Sequence, residues 1–251
     1  MDDAQLLRYS RHVLLPELGV DAQARFASSH ALVVGVGGLG NPVAHFLAAA
    51  GVGTLTLVDA DDVDLTNLQR QILFDTAAIG RRKVDAAGER LAALNAEVRV
   101  VRVGARVGDA ELAPLAAAAD IIIDCCDNFA TRHAVNRVSV AARKALVSGA
   151  ALRFDGQLAV FDPRDPHSPC YHCLFGEGDE FEETRCATMG VFAPLVGIIG
   201  AAQAAEALKL LAGVGRSLAG RLLLFDALAT EWREVRVVRD PGCPVCAVSR
   251  S

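Results

Sequence analysis

The stretch Gly35-Val36-Gly37-Gly38-Leu39-Gly40 constrains this chain most, because it joins a short apolar run to an amphipathic one. His30–Val34 reads as a buried strand ending in the glycines, and Pro42–Gly51 as a helix with Val43, Phe46, Leu47 and Ala50 on one face. A glycine turn between strand and helix lets the backbone approach a ligand closely, and the helix start offers free N–H groups to phosphate. Asp59 closes the next strand, Thr54–Asp59, at about the spacing where an acid holds a ribose hydroxyl. These features fit a dinucleotide dehydrogenase as well as an ATP enzyme.

The alternation continues with a helix near Lys83–Leu94 and strands at Val98–Val103 and Asp120–Cys125. Continuous apolar strands separated by helices imply a parallel sheet covered on both faces. The second half differs. Leu152–Phe154 and Gln157–Phe161 flank Asp155-Gly156, a dipeptide favoured in tight hairpins. Arg221–Asp226 and Glu231–Val238 read as another antiparallel pair, preceded by a helix around Pro194–Leu211. The expected fold is α/β, Rossmann-like and nucleotide-binding, with a mixed sheet that is parallel first and antiparallel later. With no linker or repeat in 251 residues, 1–251 is read as a single domain, with 1–28 a helical segment and 170–246 holding paired cysteines. Within 1–28, Gln5–Leu15 reads as a helix that Pro16 helps to end. Arg8 and Arg11 lie on one face of it, by themselves a solvated surface.

A formal net charge of -5 is not the field of a nucleic-acid binder. The longest uncharged stretch, Cys186 to Ala205, contains Thr188, Pro194, glycines and Gln203, too polar for a membrane span and better read as a loop entering a buried helix. The opening residues lack a basic n-region followed by an apolar h-region, so a soluble, cytoplasmic protein without membrane or nucleic-acid partners is expected.

The run from Asp59 to Gln71 is dense in polar groups just beyond a strand's carboxyl end, where open α/β sheets bind ligands. Arg70 and Lys83 suit a cationic clamp for a triphosphate, although either alone reads as surface charge. Asp120–Cys125 delivers Asp124, Asp127 and Asn128 to the same edge, where a carboxylate could hold Mg²⁺. Asp124 could equally be a strand-end residue pairing with backbone.

Seven cysteines without a secretory signal point to metal or thiol chemistry rather than a disulfide framework. Cys170-Tyr171-His172-Cys173 and Cys243-Pro244-Val245-Cys246 form two Cys-x-x-Cys knuckles, which together give four thiolates to one structural Zn²⁺. A redox dithiol is the competing reading, and His172 reads as a bystander between ligands. Cys125 and Cys126 read as small core residues. Cys186 follows the polar, acidic Gly176–Arg185.

Arg8-Tyr9-Ser10-Arg11, the glycine loop, Asn67-Leu68-Gln69-Arg70-Gln71, Lys83, Cys126-Asp127-Asn128, Ser148-Gly149-Ala150 and the two knuckles appear in one order. That order resembles the E1-like adenylyltransferases over essentially the whole chain. The resemblance implies that Gly35, Gly37, Gly38 and Gly40 lie against ATP and that Asp59 holds the ribose. Asn67, Arg70 and Lys83 would contact the phosphates and Asp127 would ligate Mg²⁺, with Asp61, Thr66, Leu68, Gln69 and Asn128 in the same nucleotide site. Arg11 would reach the triphosphate of a neighbouring subunit in a homodimer, and Cys186 would lie on a loop crossing the active site.

The implied reaction is attack by the C-terminal glycine carboxylate of a small ubiquitin-like sulfur carrier on the α-phosphate of ATP. The carrier would be the molybdopterin-synthase small subunit or, alternatively, the thiamine-biosynthesis carrier. An external donor, a cysteine desulfurase or sulfurtransferase, would then supply sulfur. An NAD-dependent oxidoreductase and a non-catalytic adaptor are the other readings. Nothing in the sequence resembles a hydride-transfer acid/base site, and the intact Arg11, Arg70, Lys83 and Asp127 set argues against an adaptor.

Overall fold

The computed structural model describes residues 1–177 and 189–247. It contains one eight-stranded sheet in the order β3-β2-β1-β4-β5-β6-β7-β8. The strands are β1 (His30–Val34), β2 (Thr54–Val58), β3 (Arg99–Val103), β4 (Ile121–Asp124), β5 (Ala145–Leu152), β6 (Asp155–Phe161), β7 (Arg221–Asp226) and β8 (Glu231–Arg236). The first five pair in parallel and the last three join antiparallel, as the sequence predicts. Because β1 lies between β2 and β4, the connections leave it in opposite directions. A crevice therefore opens at the carboxyl ends of β1 and β4.

Alternation along the central strands fills both faces. Ala31, Val33, Ile121, Ile123 and Val147 enter a core under α3 (Gly19–Ser28), α4 (Gly40–Ala49), α5 (Lys83–Leu94) and α9 (Ala193–Ala212). Leu32, Val34, Ile122 and Leu146 enter the opposite core, under α6 (Asp109–Ala118) and α7 (Phe129–Ala142). Helix α9 is long and apolar enough to cross a membrane by composition, yet it packs along α4, β5 and β6 as a core helix. At the far edge β8 is exposed along its whole length and carries Glu231, Arg233, Glu234 and Arg236, charges that blunt an open strand edge.

Three local expectations are corrected. The hairpin between β5 and β6 turns at Arg153-Phe154, because Leu152 pairs with Asp155 and Ala151 with Gly156. Arg153 takes the left-handed conformation, its N–H donates to the Gly190 carbonyl, and Phe154 stacks on Phe192 at 5.1 Å. Gly156 serves helix packing instead: a β-carbon there would lie 2.6 Å from Ile199 of α9. Phe46 is 47% exposed, although Val43 and Leu47 of the same helix are fully buried. The N-terminal helix is broken into α1 (Asp3–Arg8) and α2 (Ser10–Val13) at Tyr9. The Tyr9 ring fills the space beside Gly51, and its hydroxyl donates to Glu97 at 2.9 Å and accepts from Asn95 at 2.9 Å.

Candidate active site

The glycine loop leaves β1 and starts α4 at the crevice. Gly35 has φ +93°, and a β-carbon on it would meet the Cys125 carbonyl oxygen at 2.6 Å. A β-carbon on Gly40 would lie 1.9 Å from the Gly35 oxygen, so the loop closes this tightly only with glycine at both ends. Asn41, fully buried, clamps the loop: its Nδ2 donates to the Val36 carbonyl at 2.7 Å, and its Oδ1 accepts from the Leu73 N–H at 2.8 Å. The N–H groups of Gly37, Gly38 and Leu39 find no acceptor among the described residues. The Gln71 Oε1 is buried without a partner, and a β-carbon on Gly37 would lie 3.8 Å from the Gln71 Nε2. Unused donors at the start of a ten-residue helix are what a nucleotide polyphosphate cradle leaves unfilled, whereas the orphaned Gln71 oxygen, an acceptor, calls for a donor such as a hydroxyl or amine.

Asp59 braces this loop. Its carboxylate accepts from the Val36 N–H at 2.7 Å and the Asp61 N–H at 2.8 Å. Burial raises its pKa, and the positive charge of Lys83 opposes that rise. Lys83 is only 6% exposed and pairs with Asp61 at 2.9 Å, so it is held at the edge with its charge turned toward the two acids. Asp64 caps the short turn Leu65–Asn67, accepting from the Thr66 hydroxyl at 2.6 Å, and those bonds lower its pKa. Asn67 accepts from the Asp64 N–H, and Arg70 donates to the Thr66 carbonyl at 2.9 Å. Leu68 is half-buried and Gln69 exposed on the same turn.

Beyond β4, Asp127 is exposed and makes no ion pair among the described residues, while Asn128 caps α7 by accepting from the Thr131 N–H at 2.9 Å. Asp124 belongs to the frame, not to a metal. It is 1% exposed and pairs with Arg132 at 3.1 Å, and it accepts from the Ser148 hydroxyl at 2.7 Å and the Cys126 N–H at 3.0 Å. The same guanidinium also donates to the carbonyls of Cys126 and Gly149. From α9, Gln203 donates to the Asp124 carbonyl at 2.7 Å. Sequence reasoning missed Asn41, Arg132 and Gln203. Only Asn41, next to the glycine loop, carried a local signal.

Gly35, Gly37, Gly38, Gly40, Asp59, Asp61, Thr66, Asn67, Arg70, Lys83 and Asp127 thus share the carboxyl edge of one sheet. Arg11 does not join them. It is exposed on α2, whose neighbour Tyr9 sits at the C-terminal ends of α4 and α5. The twelve residues of α5 put about 18 Å between that end and Lys83. Cys186 lies outside the described residues.

The two knuckles meet across the chain, the first of them starting at the N-cap of the short helix α8 (Tyr171–Leu174). The Cys170–Cys173, Cys170–Cys243 and Cys173–Cys246 sulfurs lie 3.9, 3.6 and 3.6 Å apart. Four sulfurs about 2.3 Å from one tetrahedral ion stand about 3.8 Å from one another, so the set fits a Zn²⁺-sized cation. The pKa of Cys173 is lowered by the hydrogen bond from Cys170, whereas that of Cys170 is raised by the same bond and that of Cys246 chiefly by burial. Asn136 of α7 supports the cluster, its Nδ2 lying 3.7 Å from the Cys170 sulfur while its Oδ1 accepts from the Tyr171 N–H at 2.9 Å. Cys125 and Cys126 are buried thiols, with pKa values pushed up by that burial.

A mixed sheet with a glycine loop at its switch point, a cationic and acidic rim and a four-sulfur cluster fits a nucleotide-binding α/β protein. The chain belongs to the ThiF family, whose model matches residues 9–245. It is 44% identical over 249 residues to the molybdopterin-synthase adenylyltransferase of Escherichia coli K12, covering 98% of each chain. Against the sulfur carrier protein ThiS adenylyltransferase of the same organism it is 43% identical over 251 residues, covering 100% of this chain and 99% of the relative. Among solved structures, E. coli MccB with ATP superposes with a TM-score of 0.83 at 25% identity, covering 95% of this chain and 74% of MccB.

Proposed function

We propose that this protein adenylates the C-terminal carboxylate of a small ubiquitin-like sulfur carrier, using ATP and releasing pyrophosphate. The observation that supports the reading is the edge where Asp59, bonded to the loop, and the Lys83–Asp61 pair stand beside unused N–H donors. Full-length identity above 40% to adenylyltransferases of both carrier types supports it. The carrier is the molybdopterin-synthase small subunit or its thiamine counterpart, and both relatives fit equally.

In this reading the loop N–H groups and the orphaned Gln71 carbonyl receive the nucleotide, Asp59 holds the ribose, and Asn67, Arg70 and Lys83 take the phosphates. Asp127 would hold Mg²⁺, which when bound would neutralise phosphate charge. The carrier carboxylate is already ionised, so its oxygen attacks the α-phosphorus without a side-chain base, and the bond to pyrophosphate breaks. Catalysis is then positioning and charge neutralisation.

Arg11, stranded far from its own Lys83, would complete the site of a second subunit in a homodimer. The four cysteines hold a structural Zn²⁺, closed to substrate. Residues 1–251 act as one domain, in the cytoplasm, with sulfur brought by a separate donor. Cys186 either attacks the carrier adenylate or only lies on the loop crossing the site while an external persulfide attacks, and in both readings adenylation proceeds without it. An NAD-dependent dehydrogenase has only the glycine loop and Asp59 in its favour. ATP–pyrophosphate exchange that requires added carrier tests the proposal; exchange absent with either carrier, or reduction of NAD instead, overturns it.

A further inference from the structure

Beside the four cysteines lies a second group of ligand atoms with no part in the nucleotide site. His133 on α7, His172 inside the first knuckle and Glu177 each bring one such atom to within 4.8 Å of the others. His133 is 5% exposed, and its Nδ1 is buried without a hydrogen-bond partner, as is the Nδ1 of His172. The Glu177 Oε1 stands 3.7 Å from the His133 Nδ1, beyond hydrogen-bond reach. The two imidazoles meet edge to face, with centroids 5.7 Å apart, so neither ring satisfies the other's nitrogen. Buried polar atoms without partners are uncommon, and two in one place ask for a shared one.

We propose that His133, His172 and Glu177 form a second divalent-metal site, separate from the four-sulfur cluster. Two imidazoles and a carboxylate suit Zn²⁺, Co²⁺ or Ni²⁺ and leave a fourth position for water. The four cysteines already close their own tetrahedron, so His172 is free to serve this neighbouring ion. Arg137 orients the carboxylate. It holds the Glu177 Oε1 and is itself neutralised by Asp109 through bonds of 2.6 and 2.9 Å. Such an ion would tie the residues just after the first knuckle to α7, whose start carries Asn128.

Metal analysis after equilibration with excess Zn²⁺ and desalting tests the site. Two equivalents per chain are expected in the wild type and one in His133→Ala, His172→Ala and Glu177→Gln. Cobalt loading separates the sites, because only the four-thiolate ion gives intense sulfur-to-cobalt charge transfer. That band should persist in all three variants while the weaker nitrogen–oxygen cobalt spectrum disappears. Glu177→Gln alters an exposed side chain, so its loss of one equivalent cannot be ascribed to a disrupted core. One equivalent in the wild type at saturating Zn²⁺, or a second one that survives all three substitutions, overturns the proposal.

Discussion

Arg132→Ala probes the frame under the nucleotide edge. Breaking a buried ion pair from one side costs about 3–5 kcal/mol, because it strands the other charge. Here Asp124 would keep the Ser148 hydroxyl and the Cys126 N–H, which pulls the cost toward the lower end. The carbonyls of Cys126 and Gly149 would lose their donor at roughly 1 kcal/mol each, which pushes it back up. A loss of about 4 kcal/mol is therefore expected, a large share of a total near 5–15 kcal/mol.

With a urea m-value of about 3 kcal/mol/M, the midpoint should fall by more than about 1 M, measured at fixed excess Zn²⁺ so that metal linkage stays constant. Adding Asp124→Asn should recover part of the loss, since the amide still accepts from Ser148 and no charge is left unpaired. A loss below about 1 kcal/mol, or a double variant weaker than the sum of the singles, would refute the reasoning.

Lys83→Ala should reduce carrier-dependent pyrophosphate exchange to background with little loss of stability; near wild-type exchange would remove Lys83 from the site. Cys243→Ala should lose the four-sulfur Zn²⁺ and unfold at lower temperature, since structural zinc contributes directly to folding, and a stable zinc-free wild type would contradict this. Mixed Arg11→Ala and Lys83→Ala chains should regain activity, because one hybrid site in each heterodimer is intact. No recovery after demonstrated subunit exchange would tell against a shared site.

The strands and helices around the glycine loop were legible because their apolar residues recur at the period each element requires, and α5 falls at Lys83–Leu94 as predicted. The four cysteines were legible from spacing alone. The Asp155-Gly156 dipeptide reads as a turn although Gly156 answers to Leu195 and Ile199, far along the chain, and local turn chemistry does not register that contact. Phe46 satisfies the helical period yet faces outward, since the period identifies a face but not how far the core extends over it. Asp124 reads equally as metal ligand or frame from its own segment, and Arg132, eight residues on, ties it into the frame. Arg11 reads as surface from its own segment and is exposed on α2, so its proposed role across subunits rests on the family resemblance.

The central claim is chemical, and the carrier's mass reports it most directly. Zinc-loaded protein is mixed with Mg-ATP and each purified carrier, and the intact carrier is weighed. The account predicts that at least one carrier gains one adenylyl group with release of one pyrophosphate, and that Lys83→Ala protein leaves both carriers unchanged. Folded, zinc-loaded protein that leaves both carriers unmodified would contradict it.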